Sequence, residues 1–331
     1  MSEISLTKQE LVILLNQLPN KIYVDYPLSN DQIFSAEANA NRYEIETQLE
    51  LDQTLSNSEL WDLEKPSFSD YRQCFLASNL ITYTNLSEFI QEHSVYSNLK
   101  QKVVYAPDTN LFYNQFLSLG ILKVDEILRV ETVQKEILRM LNKKFNSKQI
   151  SELKQAVRYQ KHLLDQFINS RQKASRLAAN LALQEYQQYA DQVYATVQTR
   201  DLVPDKEEND VIFVEAVKRY RNTSNTYPVV LTCDRLLTDI CDASGVPVFL
   251  LELPRVIHPE PCTPEQLCHL LCNLAGVLGV IQVNKILMFG EYRGKRDINE
   301  YKIRFLSGET PIELERDLEI CRELMKLKID F

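Results

Sequence analysis

The stretch KVVYAPDTNLFY, Lys102 to Tyr113, carries the question that decides the fold. An apolar run, VVYA, stops at Pro107, and Asp108, Thr109 and Asn110 follow at once. Uninterrupted apolar residues are the mark of a strand covered on both faces, as in a parallel sheet. An acid at the end of such a strand either closes an ordinary turn or stands where ligands bind, because sites in open α/β sheets form at the carboxyl ends of strands.

Outward from this stretch the pattern alternates. ETVQKEILRMLNKK, from Glu131, reads as a helix; NDVIFVEAVKRY reads as another, opened by Asn209 or Asp210; PVVLT, ending at Thr232, reads as a second buried strand. RLLTDICDAS is a helix closed by Gly245, and PVFLLEL is a third strand. Strands alternating with helices predict an α/β domain with a central parallel sheet over residues 99–254. No proline occurs between Pro107 and Pro204, and no glycine between Gly120 and Gly245. With Ile150, Leu153, Val157, Leu164, Phe167 and Ile168 at helical spacing, that gap predicts one or two long helices inserted at about 145–200, bending near Asn169 and Ser170. Residues 1–98 and 255–331 are expected to be accessory α+β domains. The first holds a helix near Lys8–Gln17, a strand near Lys21–Tyr26 and an unassigned acidic middle. The second holds a helix, two strands joined by a loop and a closing helix from Pro311.

Length and composition suit a globular chain of two or three domains: 331 residues, 44% hydrophobic and 25% charged. The N-terminus has no basic or apolar leader, the longest apolar stretch is broken by Asn273 and Gln282, and the seven cysteines are irregularly spaced. A cytoplasmic, reduced protein without a membrane segment is the expectation. The net charge of −9 conceals a split. Asp31–Asp70 carries ten acids and two bases, whereas Lys143–Arg176 carries nine bases and two acids. The basic segment, with Lys143, Lys144, Arg158, Lys161, Arg171, Lys173 and Arg176, is expected to follow a nucleic-acid backbone; its alternative is a solvated face or a docking surface. The acidic N-terminal region is a candidate protein-binding surface.

Four acids converge in this scheme: Asp108 after the first strand, Glu136 beside the apolar stripe of its helix, Asp210 at a helix start, and Asp234 two residues after Thr232. Singly, each has an ordinary reading as an Asx turn, a solvated acid or a helix cap. Together, carboxylates at one sheet edge repel each other unless divalent cations lie between them, and hard oxygen ligands suit Mg²⁺ or Mn²⁺. Cys262, Cys268 and Cys272 with His258 and His269 invite a zinc reading, weakened by the lack of any Cys-x-x-Cys pair. GEYRGKR from Gly290 only echoes a phosphate loop, lacking the hydroxyl residue after Lys295.

The ordered set APDTN, VQKEI, ENDVIFVEA and VVLTCDRLLTDICDASGVPV resembles the PIN-domain nuclease family over about residues 102–253, less the helical insertion. The resemblance implies a three-layer α/β/α fold and metal-dependent phosphodiester hydrolysis, with single-stranded RNA cut internally to leave a 5′-phosphate and a 3′-hydroxyl. It implies Asp108 and Asp234 as direct metal ligands, and Glu136 and Asp210 as ligands through water or orienters of the attacking water. Asn110 and Thr232 then support those ligands. Two other readings stand beside it: a nucleic-acid-binding or scaffold protein with a weak or silent centre, and a DNase in a defence system.

Overall fold

The computed structural model describes residues 2–47, 49, 57–96, 98–188 and 193–327, with β and α elements throughout. In chain order the strands are β1 (Glu3–Thr7), β2 (Lys21–Tyr26), β3 (Asp31–Asn39), β4 (Arg42–Thr47), β5 (Lys102–Pro107) and β6 (Leu128–Val130). They continue with β7 (Ala195–Val197), β8 (Thr226–Thr232), β9 (Val248–Leu250), β10 (Val280–Val283), β11 (Ile286–Phe289) and β12 (Glu300–Phe305).

Two patterns of burial separate two units. In β2, Ile22, Val24 and Tyr26 are buried while Lys21 and Tyr23 are exposed, the alternation of a sheet with one covered face. In β5, every residue after Lys102 is buried, as a strand covered on both faces requires.

The first unit comprises residues up to Leu80, Lys143–Leu177 and the chain from Ile257. Its sheet has seven strands in the order β1-β12-β11-β10-β2-β3-β4, and every pairing is antiparallel. β1 pairs with β12, and β10 with β2, so the terminal segments share one sheet rather than forming two accessory domains. The separation into 1–98 and 255–331 is therefore corrected. The acidic middle is also assigned: it supplies β3, β4 and helices Glu59–Glu64 and Phe68–Ala77, with residues 48 and 50–56 outside the described set. The helix Pro264–Leu278 is buried along nearly its whole length, Cys268 and Cys272 included, and Cys262 before it is buried too.

The second unit comprises Ile81–Asn142 and Ala178–Val256. Its central strands run parallel in the order β5-β8-β9, and a parallel bridge from Tyr105 to Ile127 brings the parallel pair β6-β7 alongside β5. The strand after β5 thus lies on one side of it, and β8 and β9 on the other. The order reverses at β5, which makes the carboxyl ends of β5 and β8 the switch point of the sheet. Phe89 packs against Tyr105, Phe116 and Phe249 at ring-centroid distances of 5.7, 6.0 and 5.2 Å, and these rings fill the interior.

The insertion is corrected in two respects. Its first part, Lys143–Leu177, belongs to the first unit and the rest to the second. It is also a series of short pieces: an α-helix at Ser147–Ala156, 3-10 turns at Lys161–Phe167 and Lys173–Ser175, and an α-helix at Leu177–Gln188; residues 189–192 lie outside the described set. Gln160 (φ 38°) and Asn169 (φ 62°) adopt left-handed backbone and break the helix without glycine or proline.

Candidate functional site

Each acid reaches the switch point by a local rule. Asp108 follows β5 directly, is 5% exposed, and caps the short helix Thr109–Tyr113 by accepting the Leu111 N–H at 3.1 Å. Its other oxygen, Oδ2, accepts from Thr232 Oγ1 at 2.5 Å and Asn110 Nδ2 at 3.3 Å. Thr232, the last residue of β8, in turn accepts the Asp234 N–H at 2.9 Å. The hydroxyl therefore ties the ends of neighbouring strands together. Asp234 caps the helix Arg235–Ser244 through Leu236 N–H at 3.0 Å. Both caps expected as ordinary alternatives are present, yet neither uses both oxygens of its carboxylate as a cap.

Glu136 lies on the helix Glu131–Met140 and accepts a short hydrogen bond from the Thr109 hydroxyl. Glu131, at the start of that helix, instead accepts the Thr199 N–H at 2.9 Å and pairs with Lys135 at 3.2 Å. Glu136 and Glu131 thus have different partners, Thr109 for the one and Thr199 with Lys135 for the other. Asp210 is placed differently from its expected position. The helix Lys206–Thr223 begins earlier, capped by Asp205, which accepts from Glu207 N–H at 2.8 Å. Asp210 therefore sits in the second turn, and Asn209 is buried, bonding Val203 through both its amide oxygen and nitrogen.

Asp210 has a buried oxygen, Oδ2, without a hydrogen-bond partner among the described residues. Leaving a buried carboxylate oxygen unsatisfied costs on the order of 1–3 kcal/mol. Burial pushes Asp210 up to about 6; the charges of Glu136 and Asp234 push the same way, and Lys206 opposes them. Burial likewise raises Asp108 to about 6 against its three hydrogen bonds, with Asp234 adding to the rise. Glu136 is raised by burial despite Thr109, Lys206 and Arg139. These mutual influences place the four carboxylates in one electrostatic network.

Lys206 is the residue that sequence reading missed. It donates to Asp234 Oδ2 at 3.2 Å, and its own pKa is raised: burial lowers it, but Asp234, Asp210 and Glu136 outweigh that. The available signal was its position four residues before Asp210, on the same helix face.

The donor set is all hard oxygen, which is the chemistry of a magnesium or manganese site. The orphaned oxygen of Asp210 fits such a cation. As placed, no three acidic, cysteine or histidine side chains among the described residues converge to hold one ion. A cation would need Asp234 to release Lys206.

The seven bases lie in the first unit and divide sharply. Lys143, Lys144, Arg158 and Lys161 are exposed. Arg171 is half-buried, 3.9 Å from Glu291. Lys173 donates to Asp70 at 2.9 Å and to the Lys65 carbonyl at 2.7 Å. Arg176 is 2% exposed, paired with Glu64 at 3.1 Å, and donates to the Leu278 carbonyl at 2.8 Å. Lys173 and Arg176 are thus withdrawn from a phosphate-binding surface, because their charge is matched inside the fold. They pair with Asp70 and Glu64, so part of the acidic segment meets part of the basic one within the chain.

No helix among the described residues is long and apolar enough to cross a membrane. In comparisons with known proteins, no protein family and no curated protein matches the chain.

Proposed function

We propose that the second unit is a PIN-like, metal-dependent endoribonuclease centre acting on single-stranded RNA, with Asp108, Glu136, Asp210 and Asp234 as its acids. The observation that carries the reading is the unpartnered, buried oxygen of Asp210 beside Glu136, Asp234 and Lys206, at the carboxyl ends of β5 and β8. The charge of Asp234 raises Asp108 and Asp210, and that of Glu136 also raises Asp210, so these acids are costly to hold together, and a polyanion would be repelled by them; a cation removes both difficulties.

Asp108, Asp234 and Asp210 would hold Mg²⁺ or Mn²⁺. Bound there, the cation supplies Lewis-acid stabilisation of charge developing on a phosphodiester. The protein's own groups do the rest. Thr232 fixes Asp108 against the end of β8 by donating to its Oδ2. Thr109 orients Glu136, whose raised pKa suits it to accept a proton from an attacking water. Lys206 neutralises part of the cluster and can turn from Asp234 towards a phosphate oxygen. Exposed Lys143, Lys144, Arg158 and Lys161 offer further charge for the backbone.

A second reading, a nucleic-acid-binding or scaffold protein with a silent centre, is favoured by the Lys206–Asp234 pair and the two helix caps, which give these acids structural work. A cleavage assay separates the two. Purified chain with Mn²⁺ is expected to cut labelled single-stranded RNA, EDTA to stop it, and Asp108→Asn to lower the rate by roughly 10²–10³-fold or more, as loss of a charged transition-state group does. Asp108→Asn cutting at the wild-type rate would refute the assignment. Wild-type chain that binds RNA without cutting it would favour the silent centre.

A further inference from the structure

The second unit contains seven arginines: Arg129, Arg139, Arg200, Arg219, Arg221, Arg235 and Arg255. Five have visible employment. Arg129 lies 4.1 Å from the ring centroid of Tyr186, and Arg200 pairs with Glu208. Arg139, Arg219 and Arg221 donate to the carbonyls of Val203, Gln198 and Gly245. Arg235 and Arg255 are exposed and have no ion pair or hydrogen-bonding partner among the described residues. Both line the same groove, of about 690 Å³, which begins at Cys233 and Arg235 on either side of Asp234 and continues along the segment after β9 to Val256.

The groove is chemically two-sided. Leu253, Pro254 and Val256 give it an apolar wall, and Val256 is 56% exposed. Its one acid, Glu252, is turned to Thr84, whose hydroxyl donates to it at 3.3 Å. Unpaired guanidiniums on a partly apolar, open groove match a strand that presents phosphates on one side and base faces on the other. Among the described residues the lining has no aromatic ring on which a base could stack, so its two guanidiniums are left to act on phosphates.

We infer that the groove bearing Arg235 and Arg255 binds the backbone of a single nucleic-acid strand and leads it past Asp234, irrespective of base sequence. The inference rests on the proposed nuclease reading for its substrate class, and it assigns to that site a strand-binding surface outside the basic segment.

The test uses the full chain and a fluorescein-labelled single-stranded oligoribonucleotide in EDTA, read by anisotropy across a salt series. R235Q/R255Q, two exposed substitutions, should bind about tenfold more weakly than wild type for two unrelated sequences. Its log affinity against log salt should flatten by roughly 1.4, about 0.7 for each phosphate of a single strand that the variant no longer neutralises. Arg235→Lys with Arg255→Lys should recover most of the affinity. A second readout needs no variant: the oligonucleotide should slow iodoacetamide labelling of Cys233 several-fold and leave Cys321, half-buried in the other unit, unchanged. Wild-type affinity and slope in R235Q/R255Q, or unprotected Cys233 under saturating oligonucleotide, would overturn the groove while leaving RNA cleavage by the acids intact. Loss of binding in R235Q/R255Q from a chain that never cuts RNA would uphold the groove and defeat the nuclease reading. No binding by wild type at all would overturn the groove.

Discussion

The two units treat buried charge in opposite ways. In the first, the buried Arg176 and Arg304 and the half-buried Lys173 are matched by Glu64, Glu3 and Asp70, and the buried Glu10 is matched by the exposed Arg322 at 2.6 Å. In the second, carboxylates crowd together. Asp210 leaves one oxygen unpartnered, as does Glu185, which is 3% exposed. A matched buried pair needs no ligand to explain it. An unmatched group lowers stability and persists where something outside the chain completes it, which is how functional sites come to be strained.

The comparison breaks most visibly at Arg176. Its guanidinium faces the rings of Phe167 at 4.8 Å and Phe145 at 5.7 Å, besides pairing with Glu64. Arg176→Gln leaves Glu64 buried without its partner and should cost roughly 3–5 kcal/mol in denaturant unfolding, whereas Arg176→Met with Glu64→Gln should cost much less. Equal losses in the single and double variants would mean that the pair is not what holds this region.

Glu185 sharpens the other side. Its Oε1 accepts the Ser118 N–H at 2.8 Å and the Ser118 hydroxyl at 2.9 Å, yet burial outweighs these bonds and pushes the carboxyl up to about 7 from an ordinary 4.5. Because the folded pKa lies above the unfolded one, the native state holds the extra proton between about 4.5 and 7. Stability is therefore greatest below that window and falls as pH rises through it. Glu185→Gln should match wild type near pH 4.5 and exceed it at pH 8 by on the order of 1–2 kcal/mol, measured by chemical denaturation at both pH values. A variant less stable than wild type at pH 8 would show that the ionised carboxylate is satisfied.

The smallest effect is expected at Lys143, Lys144, Arg158 and Lys161. Changing all four to Gln should move stability by no more than about 0.5 kcal/mol per site. If each binds a phosphate, the salt slope of RNA binding should fall by roughly 0.7 per residue. An unchanged slope would confine the strand to the arginine groove.

What the sequence disclosed follows from the range of each interaction. β5 and β8 were legible because strands buried on both faces are continuous apolar runs, and β9, though only partly buried, because it too is an unbroken apolar run. Asp108, Asp234 and the choice of Glu136 over Glu131 follow from strand ends and helical phase, which are local. The β1–β12 and β2–β10 pairings were not legible, since they join residues roughly 260–300 positions apart and leave only ordinary two-residue alternation in each strand. Arg176 looked like one more base in a charged run because Glu64, 112 residues away, cannot be seen from its neighbours. The start of the Lys206 helix was misplaced because DKEEND offers several acids and an amide able to cap; the structure selects Asp205 and buries Asn209. Gln160 and Asn169 break a stretch that lacks glycine and proline, so the missing breakers overstated its helicity.

The central claim is that the unmatched acids of the second unit are kept for a cation, and a manganese titration followed by thermal unfolding tests it most directly. Without metal, Asp210→Asn should melt above wild type, because it removes a desolvated charge whose Oδ2 has no partner. With Mn²⁺, wild type should gain about 2.7 kcal/mol at a hundredfold excess over Kd, by mass action on the folded state. Asp210→Asn and Asp108→Asn should gain much less. A wild-type Tm unmoved by millimolar Mn²⁺ and Mg²⁺, with Asp210→Asn melting below wild type, would contradict the claim.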